Sequence, residues 1–89
     1  MQTPKRPLLD FPCAFPLKAI GHNSGDFEDY VISVILKHLD EAEEYDVTSR
    51  LSNGDRYLAV TIRFTARSQD HLDNIYKELG QDSRVVFLL

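Results

Sequence analysis

The residues whose types could do chemistry gather in one run, Gly21-His22-Asn23-Ser24-Gly25, which ends on Asp26. Glycines allow a ligand close to the backbone, while His, Asn and Ser side chains supply donors and acceptors. Such a loop cradles a phosphate only when backbone N–H groups, a helix dipole and usually a cation converge on it. Here the loop holds no Lys or Arg, and the following segment opens with Asp26, Glu28 and Asp29. Those carboxylates would repel a phosphate, so an ammonium-bearing ligand suits the acidic rim better. The plainer alternative is a tight turn followed by a helix cap.

Other chemistries find no foothold. His22, His38 and His71 form no i,i+4 pair and none adjoins Cys13, so neither a metal site nor any cofactor is expected. Cys13 is the only cysteine. A single thiol makes no internal disulfide and reads as a free cysteine in a reducing cytosol. No Ser or Cys stands at a recognisable spacing from a base, so no enzyme is expected.

The elements that must position the loop follow from periodicity. The 89 residues suffice for one domain, and 43% hydrophobic content distributed periodically argues against disorder. Residues 1–14 contain Pro4, Pro7 and Pro12 and read as an extended arm; residues 15–89 form the domain. Phe15, Leu17 and Ala19 alternate with Pro16, Lys18 and Ile20, which predicts a first strand over 15–21. Phe27, Tyr30, Val31, Val34 and Ile35 form one helical stripe within a helix over 26–39, with Asp26 as its cap and Ile32 and Leu36 widening it. Asn53-Gly54 predicts a two-residue type I′ reversal between strands over 45–51 and 56–66. Val47 should then face Val60, Ser49 face Leu58, Tyr45 face Ile62 and Glu44 meet Arg63. Ser68 caps a second helix whose stripe is Leu72, Ile75, Tyr76 and Leu79, closed by Gly80. Val85–Leu89 is a last strand.

This α+β order, β-α-β-β-α-β, most simply folds as a ferredoxin-like four-stranded antiparallel sheet, order 4-1-3-2, with two helices on one face. RNA-recognition domains share that topology but stack bases on several aromatics of the open sheet face. Only Tyr57 is expected there, and a net charge of −4 also counts against nucleic acid. Acylphosphatase-like enzymes need an arginine in the first loop, and copper chaperones need two cysteines; the loop has neither. The open face instead suggests a partner surface of Ile20, Tyr57, Arg63, Val86 and Leu88, and the uncharged last strand is an edge that invites another chain. Folding of the N-terminal arm over that edge is the equal alternative. The chain has no apolar signal region and no run of about 18 apolar residues, so no membrane association and a cytoplasmic setting are expected.

Leu8-Leu9-Asp10-Phe11-Pro12, followed by Phe15, Lys18 and Gly21, resembles the N-terminal motif of the YbeD-like family of small bacterial proteins. Tyr76-Lys77-Glu78-Leu79-Gly80 before a short last strand is similar too, and the resemblance covers nearly the whole chain. It implies a ferredoxin-like fold akin to the ACT regulatory domain and a cytosolic bacterial setting, with no catalytic residues. ACT domains bind amino acids and similar effectors between subunits, at the loop after strand one. That maps onto Gly21, His22, Asn23, Ser24, Gly25 and Asp26, although the usual proline before the glycine is absent. The resemblance thus implies a non-enzymatic regulatory domain sensing a small ligand; the alternative is a protein-interaction or adaptor module. The implied partners are a second copy, another protein or a small effector.

Overall fold

Along β1 (Cys13–His22) of the computed structural model, which describes residues 10–89, burial alternates: Leu17 and Ala19 are sealed, while Pro16 and Lys18 are exposed. That period of two is what a strand with one covered face requires. The strand begins at Cys13, which pairs with Ala66, so the last residues of the expected arm are already sheet. Residues 1–9 of that arm lie outside the described residues. After β1 come α1 (Phe27–Leu36), β2 (Asp46–Leu51), β3 (Tyr57–Ala66), α2 (Gln69–Leu79) and β4 (Val85–Leu88). The described residues form one antiparallel sheet in the order β2-β3-β1-β4, which is the predicted 4-1-3-2 read from the other edge. Both helices cover one face. Phe27, Val31, Val34 and Ile35 of α1 and Leu72, Ile75 and Leu79 of α2 meet Leu17, Ala19, Val60, Ile62, Phe64 and Ala66 in one core.

The β2–β3 connection departs from the two-residue reversal. Leu51 pairs with Leu58, and Asn53–Asp55 wind into a 3₁₀ turn with left-handed φ at Gly54 (82°) and Asp55 (56°). Ser52 closes it from both sides. Its N–H donates to the Tyr57 carbonyl (2.9 Å), and its Oγ accepts from the Tyr57 N–H (3.0 Å). Every expected pair therefore shifts by two. Val47 meets Ile62 rather than Val60, Ser49 meets Val60 rather than Leu58, and Asp46 rather than Glu44 reaches Arg63, at 3.6 Å. Because side chains alternate with period two, this shift leaves each residue on its predicted face. Tyr45, predicted opposite Ile62, precedes β2 and is exposed.

Three helix details also differ from expectation. The α1 helix stops at Leu36, tightened by i→i+3 bonds from the N–H groups of His38 and Leu39, and Leu36 is exposed rather than buried. Asp26 makes no side-chain cap. Gly80 ends α2 with an ordinary right-handed φ of −73°. Ser68 does cap α2, its Oγ accepting the His71 N–H at 3.1 Å. His71 itself is buried. Its Nδ1 accepts the Arg67 N–H (3.0 Å), and its Nε2 lies 2.8 Å from the His38 carbonyl.

In β4 the predicted facing is corrected by a bulge. Leu88 pairs with Ala19 and Phe87 with Ile20, but Gly21 pairs with Val85, which leaves Val86 as an extra residue. Leu88 consequently turns to the helix side, half-buried against the core. Phe87 takes the open-face position beside Ile20, and Leu89 continues the ladder by exchanging bonds with Lys18 (2.8 and 3.2 Å).

Candidate functional site

The loop after β1 is tied down at both ends. Gly21 passes directly over the Phe27 ring: a Cβ there would lie 2.4 Å from the ring and 2.5 Å from the Arg84 carbonyl. Only glycine permits that approach. The His22 N–H donates to the Arg84 carbonyl (3.3 Å), and its ring lies on the open sheet face, 5.4 Å from that of Tyr57. Asn23 clasps the β2–β3 turn, its N–H donating to the Arg56 carbonyl (3.0 Å) and its Nδ2 to the Asp55 carbonyl (2.9 Å). Gly25 takes φ 89°, and Ser24 Oγ donates to Asp26 Oδ1 at 2.8 Å.

Two of the three rim carboxylates are engaged by the chain itself: Glu28 accepts from Ser49 Oγ at 2.8 Å, and Asp26 is held by an arginine. Arg84, 58 residues from Asp26, donates from Nη1 to Asp26 Oδ2 at 2.7 Å. It grips Asp82 through Nε (3.0 Å) and Nη2 (2.9 Å), and its guanidinium carbon lies 4.4 Å from the centre of the Tyr30 ring. Hydrogen bonds from Ser24 and Arg84 hold the Asp26 carboxyl below its ordinary value. Bonds from the Arg84 side chain and backbone pull Asp82 down to about 2. Asp82 and then Asp26 raise Arg84 in return, and burial raises Tyr30. An ammonium ligand at Asp26 would have to displace a guanidinium that is already bonded to Asp26 and Asp82. Sequence reasoning missed Arg84 because it sought a cation within the loop. The strand order could have found it, since the start of β4 lies beside the end of β1.

The remaining histidines serve the helix ends. His38 Nε2 lies 2.9 Å from Glu78 Oε1, and Lys37 also bonds Glu78. Bonds from Lys37 and then His38 lower the Glu78 pKa. Among the described residues, no three His, Cys, Asp or Glu side chains are grouped to hold a metal ion, and no helix is long and apolar enough to cross a membrane.

The open face has a different character. Ile20 and Tyr57 sit there together and, with Ala59, Arg50, Leu51 and Ser52, line a shallow hollow; Phe87 stands on the same face opposite Ile20, outside that lining. Beside the hollow a second cleft, of about 280 Å³, is lined by Lys18, Thr48, Ser49, Arg50, Ala59 and Thr61. Arg63 lies further along β3, the next residue beyond Thr61 on the same face, paired with Asp46. Val86 is exposed at the bulged edge, and Leu88 is absent from this face.

Known proteins resemble this chain both in sequence and in fold. Residues 6–89 match the family described as "Protein of unknown function (DUF493)". A UPF0250 protein of Chromobacterium violaceum is 40% identical over 89 residues, 100% of each chain. One from Neisseria gonorrhoeae is 34% identical over 88 residues, 99% of this chain and 97% of that one. The solution structure of protein HP0495 from H. pylori superposes with a TM-score of 0.77 over 100% of this chain and 97% of that one. At 14% identity that likeness speaks to the fold alone.

Proposed function

We propose, from the premise that the chain belongs to the DUF493 family of small bacterial UPF0250 proteins, the YbeD-like family its sequence resembles, that it is a non-catalytic regulatory module acting as a pair, joined through β4. One observation carries the pairing: Val86, Phe87 and Leu89 are 49%, 55% and 55% exposed along an edge strand. Proteins usually guard such edges with charge, proline or a covering segment. Residues 85–89 carry no charged side chain, whereas β2, the other edge, carries Asp46 and Arg50. Pairing with β1 uses the groups on one side of β4, and an antiparallel ladder leaves the alternate N–H and C=O groups outward.

A second copy is the partner that fits. Across a two-fold axis each β4 would meet an identical, uncharged strand, so no like charges oppose, and the two Phe87 side chains would cover each other. Pairing would extend the four-stranded sheet to eight strands. We take the setting to be the cytosol, where the free Cys13 stays reduced.

Effector sensing at Gly21–Asp26 has less behind it, because Asn23, Ser24 and Asp26 already spend their polar groups on the chain. Light scattering across a range of concentrations tests the proposal. Wild type should pass from one copy to two as concentration rises, and Phe87→Lys should remain a folded single copy. A wild type that stays single at millimolar concentration, or a Phe87→Lys variant that still pairs, would overturn it.

A further inference from the structure

We infer that the open face carries a binding site for a small molecule with an oxyanion head, a carboxylate or a phosphate, held between Lys18 and Arg50. The inference goes beyond edge pairing and does not depend on it. Register builds the site. Thr61 of β3 lies between Lys18 of β1 and Thr48 of β2, and Ala59 lies between Ile20 and Arg50. Ala59 and Thr61 are short, while Tyr57 and Arg63 on the same face of β3 are long. The middle of the sheet is therefore low, and the cleft of about 280 Å³ opens there. Alanine is a poor strand former, so packing of the strand itself gives no reason for it at this position.

The lining chemistry points to an anion. Lys18 and Arg50 bring two positive charges, the Thr48 and Thr61 hydroxyls bring donors, and among the described residues no Asp or Glu side chain lines the cleft. In a chain of net charge −4, four described cations are committed elsewhere: Arg63 to Asp46, Arg67 to Asp40 and Glu43, Arg84 to Asp26 and Asp82, Lys37 to Glu78. Arg56 and Lys77 also reach no carboxylate among the described residues, but neither lines this cleft. Among the described residues, Lys18 and Arg50 reach no acidic partner. Two cations lining one cleft repel each other until an anion sits between them. Arginine offers a planar fork to a carboxylate or phosphate, and lysine a point charge. The three strands that carry these side chains are hydrogen-bonded to one another, so the backbone of the site is formed before any ligand arrives. The volume sits at the lower end of small-molecule sites, which selects a compact ligand. A nucleic acid would need a longer cationic track than two side chains give.

The test is titration of isotope-labelled protein at low ionic strength with inorganic phosphate and, separately, with succinate, followed by amide NMR. Saturable shifts should appear at residues 18, 48, 50 and 61 with one probe or both, and the probe that binds names the oxyanion class. Lys18→Met and Arg50→Gln, both at exposed positions, should each weaken binding about tenfold or more, whereas Lys77→Met should leave it unchanged. Arg50→Lys, keeping charge without the fork, should fall between. The proposal is overturned if neither probe gives saturable shifts, if binding survives in the folded Lys18→Met/Arg50→Gln double variant, or if a single-stranded oligonucleotide binds the same residues more tightly than either probe.

Discussion

The loop end of β1 and the open face of the sheet are built on opposite terms. At the loop, Asn23, Ser24 and Asp26 are bonded within the chain, Arg84 pairs with Asp26, and Gly21 is pressed onto a core ring. On the open face, Lys18 and Arg50 line a cleft with no Asp or Glu side chain among the described residues, and Phe87 and Leu89 stand exposed beside it. The loop has the richer list of hydrogen-bonding residue types, yet the face has the greater unspent capacity to bind. Side-chain type says what a group could do; its existing partners say whether it is available.

The largest effect that could break this contrast lies at Gly21. If the loop end is closely packed structure, Gly21→Ala must collide with Phe27 and with the Arg84 backbone. Overpacking of this kind costs about 1–3 kcal/mol, and a neighbouring backbone carbonyl yields less readily than a side chain. Urea denaturation would read the loss, and Phe27→Leu in the Gly21→Ala background should recover part of it by making room. A cost below about 0.5 kcal/mol would mean that the loop is loose, with room for a ligand.

A smaller effect concerns Arg84. The Asp82 carboxyl, pulled from 3.8 down to about 2, favours the folded state when ionised. Its contribution is complete above the unfolded value and disappears as pH falls from about 4 toward 2, and Asp26 acts in the same direction. Urea midpoints of wild type should therefore fall across that window, and Arg84→Gln should fall less steeply because its carboxylates have lost their guanidinium. Equal slopes in the two proteins would show that the ion cluster does not hold the loop.

Much of this was legible in the sequence because alternation and helical stripes record burial directly. Leu17 and Ala19 inward, Ser68 as a cap, and Ile20 and Tyr57 on one face all follow from local pattern. The faces of the hairpin were legible even though its pairing was not. Asn-Gly signals a reversal, but Ser52 and the left-handed Asp55 lengthen the turn by two residues, and a two-residue shift changes no face. What stayed hidden depends on distant residues. Arg84 meets Asp26 only once β4 lies beside β1. His71 is a core residue only because the Arg67 N–H and the His38 carbonyl satisfy its ring. The bulge at Val86 leaves no periodic trace in so short a strand, so Phe87 and Leu88 exchange their expected sides.

The smallest expected effect sharpens the contrast most. Phe87 is more than half exposed, so Phe87→Ser removes little buried surface from a single copy. In dilute solution the variant should unfold within about 0.5 kcal/mol of wild type, as surface substitutions usually do. In concentrated solution the two should diverge. A wild type that pairs gains stability by mass action, in proportion to the logarithm of concentration over the dissociation constant, and the variant gains none. The same substitution is then silent in one condition and visible in the other. A residue of the loop end such as Phe27 cannot behave in that way, because its contacts lie within one chain. A Phe87→Ser cost that is large and independent of concentration would make Phe87 part of the fold, and the open face would lose its claim to be unspent.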